Sequence, residues 1–280
     1  MMATDTPIPA TRAVPRSPRR ATWTAFRALV ARDLTVLDGN LQRFVPSATV
    51  QPLLLVFVFT YLFPAVGQTV GGEDGGQRFT TTLLPGVVAQ SILFVGIFTV
   101  GMGLILELEA GELEDRVLAP APIATVALAK IVAGALQAFV AALIVFPVAA
   151  FLPSTGIRLS TDWPVFVTVL PLACIAAASL GLALGVIFEP RSAPWLFSVV
   201  ALPLAFFGAV FYTWEALAPT PVIQYAVLIN PLVYMSEGIR AATVAGIPHM
   251  SLLAVYGALI GLTMVFMAVG VRGFRKRVLT

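Results

Sequence analysis

Six stretches of this chain are apolar over roughly twenty residues, the length of helix that a bilayer core requires. They run 45–63, 83–106, 123–152, 163–188, 195–212 and 252–271. The second, fourth, fifth and sixth hold no Asp, Glu, Lys or Arg. A soluble domain carries charge on about a quarter of its residues. Here charged residues are 11% and the mean hydropathy is +0.94. The expected fold class is therefore an all-α polytopic membrane protein with six transmembrane helices. Pro52, Pro147, Pro171 and Pro203 fall inside these runs. They predict kinks, which neighbouring helices accommodate in a membrane. The third run exceeds the needed length, so part of it lies in the interface or tilts.

Basic residues choose the orientation. Arg12, Arg16, Arg19, Arg20, Arg27, Arg32 and Arg43 precede the first run; Arg272, Arg275, Lys276 and Arg277 follow the sixth. Six spans put both ends on one side, and the positive-inside rule makes that side cytoplasmic. The expected location is the cytoplasmic (inner) membrane, with the lipid bilayer as solvent. The loops assigned outside hold only Arg78, Arg158 and Arg240. A pI near 9.3 could point to nucleic acid, but basic residues gathered at the chain ends fit a membrane protein better, and no nucleic-acid partner is expected.

Residues 1–20 are rich in Arg and Pro and are expected to form a disordered basic cytoplasmic tail; no apolar stretch follows directly, as a signal peptide would need. Residues 272–280 form a second basic tail, leaving 21–271 as the transmembrane domain. Within 21–37, Trp23, Phe26, Val30, Leu34 and Leu37 fall on one helical stripe with Arg32 opposite. That spacing predicts an N-terminal helix in the cytoplasmic interface; packing on a soluble partner is the alternative.

Several chemistries lack their residues. The single Cys174 and single His249 support neither a disulfide nor a metal site, and no cluster of catalytic groups stands out. The cluster Gly71, Gly72, Glu73, Asp74, Gly75, Gly76 lacks the lysine and hydroxyl of a phosphate loop, and reads as a linker. Gly101/Gly103, Gly181/Gly185 and Gly257/Gly261 permit close helix approach within the bundle, or a dimer seam. An ion-coupled transporter places ionisable groups deep in the membrane. The candidate within a span is Lys130, near enough to one end to snorkel. Energy for a pump must then come from outside the polypeptide.

The densest charge lies between the second and third runs: Glu107, Glu109, Glu112, Glu114, Asp115 and Arg116 occupy ten residues. The run Glu109-Ala110-Gly111-Glu112-Leu113-Glu114, then Leu118-Ala119-Pro120 and Lys130, resembles a signature of ABC-2 type permeases, the membrane subunits of type II ABC exporters. A second block, Asn230-Pro231-Leu232-Val233-Tyr234 with Glu237 and Arg240, is similar to the family's element after the fifth span, and 211–219 resembles its aromatic-rich outside turn. Glu112, where the family often has a small or hydroxyl residue, and Asp115 make the loop more acidic than usual.

The resemblance implies a cytoplasmic coupling helix in the ATPase groove, formed by Glu109, Gly111, Glu112, Glu114, Asp115 and Arg116. The spacing is compatible: Glu112 and Arg116 are four apart in the favourable order, and Pro120 and Pro122 stop the segment. A solvated acidic loop is the plain alternative. The resemblance further implies an outer re-entrant helical element containing Asn230, Pro231, Tyr234, Glu237 and Arg240, in which Glu237 and Arg240 pair with each other or with a partner subunit. It implies an ABC ATPase subunit in two copies, a second permease (the same or a related chain), and ATP and magnesium bound on the ATPase, with no cofactor held directly. The expected function is export of a hydrophobic or amphiphilic, drug-like small molecule. Export of a lipid-linked glycan or lipid, or a membrane scaffold or sensor that docks a cytoplasmic protein, are the alternatives.

Overall fold

The computed structural model describes residues 18–68, 75–111, 122–150, 160–189 and 195–279. The chain opens with α1 (Pro18–Gly39) and α2 (Leu41–Phe57), which continues through a π-helical turn, Val58–Leu62, to Ala65. Next comes α3 (Gly75–Gly96), which passes through a second π-helical turn, Ile97–Met102, into α4 (Gly103–Glu109). Helices α5 (Ile123–Ala150) and α6 (Trp163–Ile187) follow. A third π-helical turn, Leu196–Ala201, leads into the short α7 (Leu202–Phe206). Then come a 3-10 turn, Trp214–Leu217, and α8 (Pro221–Ala226) with its 3-10 extension Val227–Ile229. The chain closes with α9 (Pro231–Thr243) and α10 (Leu252–Leu279). Among the described residues there is no strand.

Among the described residues, five helices are long and apolar enough to cross a membrane: Phe44–Ala65, Phe79–Glu109, Ile123–Val148, Trp163–Ile187 and Leu252–Arg277. They match five of the six expected spans. The fifth, 195–212, is not a helix of that length. Its π and α portions cover Leu196 to Phe206, about 16 Å at 1.5 Å per residue, short of the roughly 30 Å hydrocarbon core. Pro203 lacks a backbone donor and its ring crowds the carbonyl four residues earlier; the wider π turn upstream relieves that collision. After Phe206 the chain bends, with Ala209 at a positive φ of 53°. The segment nevertheless connects opposite ends of the bundle. Phe188, just before it, accepts a hydrogen bond from Arg277 at 3.0 Å, while Ala209 lies beside Thr82, both carbonyls accepting from Arg240. We call the Phe188–Arg277 end basal and the Arg240 end distal.

The core is carried by α3, α5 and α6, with α9 and α10 packed against α6 and α1 and α2 against α5. Small residues set the α3–α6 distance. A Cβ on Gly181 would stand 2.2 Å from the Gly96 carbonyl oxygen, and one on Gly101 2.8 Å from that of Gly181. Only glycine allows the two backbones to touch in this way. A Cβ on Gly257 or Gly261 of α10 would meet nothing within 4 Å, so among the described residues this pair of the expected packing glycines sets no close helix approach. Gly103 is likewise open.

On α1, Phe26, Leu29, Val30, Leu34 and Leu37 are half-buried, and the helix packs against α5. Trp23, on the same predicted stripe, is 61% exposed and stacks on Phe26. The basic residues Arg272, Arg275, Lys276 and Arg277 lie on α10, which runs on to Leu279 rather than ending at 271.

Candidate functional site: a sealed distal cluster and an open basal end

Helix α9 begins at an Asn-Pro step. Pro231 sits at the first helical position, where no backbone donor is needed. The Asn230 side chain accepts from Leu232 N at 2.9 Å, capping the helix. Its amide also donates to the Leu204 carbonyl at 2.7 Å. In the sequence that follows, Ser236, Glu237, Arg240 and Thr243 share one polar face, yet eleven of the thirteen residues, these four included, are buried. Charges taken out of water must be paired.

Glu237 and Arg240 are both fully buried and pair at 2.6 Å. Arg240 Nη2 also donates to the carbonyls of Ala209 at 2.9 Å, Thr82 at 3.3 Å and Tyr212 at 3.4 Å. Glu237 accepts from the backbone N–H of Trp214 at 2.9 Å and of Met250 at 2.7 Å. Ser236 adds a bond to the Gly208 carbonyl at 2.9 Å. The last carbonyls of a helix have no intrahelical partner, and α9 supplies partners to the broken end of α7. One ion pair thus ties α3, the bend after α7, the Trp214 turn and the start of α10. Burial lowers the Arg240 pKa from its usual value, and the Glu237 charge and hydrogen bond oppose that shift.

Tyr234 donates to the Leu228 carbonyl at 2.9 Å, fastening α9 to the turn before it. Trp214 Nε1 donates to the Gln224 carbonyl at 2.9 Å, and Gln224 Nε2 returns a bond to the Trp214 carbonyl at 3.3 Å. All five expected residues of the outer element, Asn230, Pro231, Tyr234, Glu237 and Arg240, therefore belong to one connected cluster. Gln224, Ser236 and Thr82 were not singled out from sequence. His249 is exposed, its Nδ1 3.0 Å from the Met250 carbonyl.

The basal end is built differently. Glu107 of α4 pairs with Lys130 of α5 at 2.5 Å, and the two side chains are 18% and 9% exposed. Beside them Arg32 and Asp33 of α1 line a cavity of about 440 Å³ that also includes Thr99 and Gln137. Glu109 is exposed at the last turn of α4. Gly111 has a φ of +69°, the left-handed conformation that ends helices and favours glycine. The helix expected through 109–116 therefore does not run through Gly111: Glu109 belongs to the preceding span. Glu112, Glu114, Asp115 and Arg116 lie outside the described residues.

The sequence matches the family model of the ABC-2 type transporter over residues 24–244, a range that begins within α1 and reaches the end of α9. The chain belongs to the ABC-2 type transporter family. No curated protein matches it significantly. As an ABC-2 transport permease it is a multi-pass membrane protein whose family typically works with an ABC ATPase subunit. The matched range includes both the distal cluster and the basal acidic stretch.

Proposed function

We propose that this permease is the membrane subunit of an ATP-driven exporter of hydrophobic or amphiphilic small molecules, with its basal end in the cytoplasm and ATP hydrolysed on a separate ATPase. The carrying observation is one continuous element, Phe79–Glu109. Its distal end offers the Thr82 carbonyl to Arg240, and its basal end holds the Glu107–Lys130 pair where the acidic stretch begins. A displacement at the acidic turn is thereby transmitted along one rod to the sealed distal cluster. On this reading the acidic residues 112–115 contact a basic groove on the ATPase, and the distal cluster closes the outer end of the path. A second permease, the same or a related chain, completes the path. Exposed aromatic residues of the fifth segment and α2, among them Phe206, Phe207 and Tyr61, favour an apolar cargo over a charged one.

The test is ATP hydrolysis in vesicles that contain the permease and its ATPase. Neutral aromatic cargo should stimulate hydrolysis and be moved across the vesicle membrane. Hydrolysis indifferent to every such compound, with the complex intact, would contradict export of this class.

A further inference from the structure

We propose that the crevice between α2 and α3 binds neutral, largely aromatic small molecules carrying a hydroxyl or N–H donor, and that Gln90 selects for that donor. The proposal rests on the exporter reading and names its cargo chemistry. A cavity of about 180 Å³ lies between the two helices, walled by Phe44, Leu55, Val87, Phe94 and Phe98. Gln90 lines it, is 7% exposed and carries a buried Oε1 with no hydrogen-bond partner. Native structures leave few buried polar atoms unpaired, because each forfeits its hydration without return. The neighbouring hydroxyls are committed: Ser91 donates to the Ala48 carbonyl at 3.3 Å and Thr99 to the Val95 carbonyl at 2.7 Å. Gln90 is thus the buried lining group with capacity to spare.

The lining dictates the rest of the ligand. Among the described residues no charged side chain lines the crevice, so an ionised ligand would be desolvated without a counter-charge from them. Three phenylalanines favour ring contacts with an aromatic body. Phe98 and Thr99, in the π turn of α3, line both this crevice and the basal cavity beside Arg32 and Lys130, giving a route from the polar end. Turns of this kind recur at functional sites. The opposite face of α3 is locked against α6 at Gly96 and Gly181, so α2 is the wall free to adjust to a ligand.

The full chain in nanodiscs of phosphatidylethanolamine and phosphatidylglycerol is photolabelled with para-(hydroxymethyl)benzophenone or with para-methylbenzophenone, and labelled peptides are mapped by mass spectrometry. The hydroxymethyl probe should label segments 44–55 and 87–99 saturably, at a concentration about two- to tenfold below the methyl probe, the range one net hydrogen bond supplies. Gln90→Leu should erase that preference while both probes still label. Gln51→Trp, at the exposed mouth, should block both probes without touching Gln90. Non-saturable labelling spread over the lipid-facing side of α10, or an unchanged preference in Gln90→Leu, would overturn the proposal. The labelling needs neither ATP nor the ATPase. Saturable labelling without probe-stimulated hydrolysis supports the site and removes the exporter reading; stimulated hydrolysis without labelling here does the reverse.

Discussion

The two ends of the bundle treat charge in opposite ways. At the distal end Glu237 and Arg240 have no exposure and meet two backbone amides and three carbonyls. At the basal end Glu107 and Lys130 keep some solvent contact, and Glu109 beyond them is exposed. A dry, hydrogen-bonded pair resists displacement, because any shift strands a desolvated group. A pair in which one partner, Glu107, keeps 18% exposure strands less when it shifts. The distal end is built to be held in place, and the basal end to be acted upon.

Removing one distal partner should have the largest effect. Arg240→Ala leaves Glu237 charged and buried and should destabilise the fold by about 3–5 kcal/mol, read as a lower unfolding temperature of the purified permease. The double variant Glu237→Leu/Arg240→Leu should recover part of that loss, since it leaves no lone charge. If Arg240→Ala cost no more than the basal Lys130→Ala, the contrast between the ends would collapse. Gly181→Val should come next. A side chain 2.2 Å from the Gly96 carbonyl oxygen forces α3 from α6 at an overpacking cost of about 1–3 kcal/mol. Cross-linking yield between cysteines placed on those two helices measures the separation. Lys130→Met should cost less stability than Arg240→Ala, because the Glu107 side chain it leaves unpaired is 18% exposed and water can reach it. It should still lower cargo-stimulated hydrolysis, because it frees the end of α4 next to the acidic turn. Full stimulation would show that the pair takes no part in transmission.

Much of this contrast was written in the sequence, unevenly. The five long helices were legible because each run is apolar over the length a bilayer core requires, and the Asn230-Pro231 step announced the start of α9. The fifth segment is expected as a span kinked at Pro203, and its helix instead ends at Phe206. Its composition is as apolar as the others, but Pro203 and the bend at Gly208–Tyr212 interrupt the helix, and the carbonyls so released are met by Arg240 from thirty residues away. Spacing suggested that Glu237 and Arg240 pair. Their burial was not legible, because Ser236, Glu237, Arg240 and Thr243 share one face of α9, and a polar face fits solvent as well as a buried cluster. Glu107 and Lys130 were each noticed, yet nothing local ties positions 23 apart on separate helices. The left-handed Gly111 was hidden because a glycine in an acidic run fits a helix and a helix end equally well on composition. Gly257 and Gly261 looked like packing residues by spacing, and spacing does not say whether a neighbour stands opposite.

On the proposed function, the basal end meets its ATPase through charge. The most direct measurement is co-purification of the ATPase with the variant Glu112→Lys/Glu114→Lys/Asp115→Lys, at low and at high salt. Three reversed charges at a contact surface cost on the order of several kcal/mol, so the ATPase should be lost at low salt. Exposed charges are screened over about 8–10 Å at physiological ionic strength, so high salt should restore part of the complex. The permease itself should unfold at the wild-type temperature, with the distal cluster intact. A variant that keeps its ATPase at both salt concentrations and pumps as well as wild type would contradict the claim.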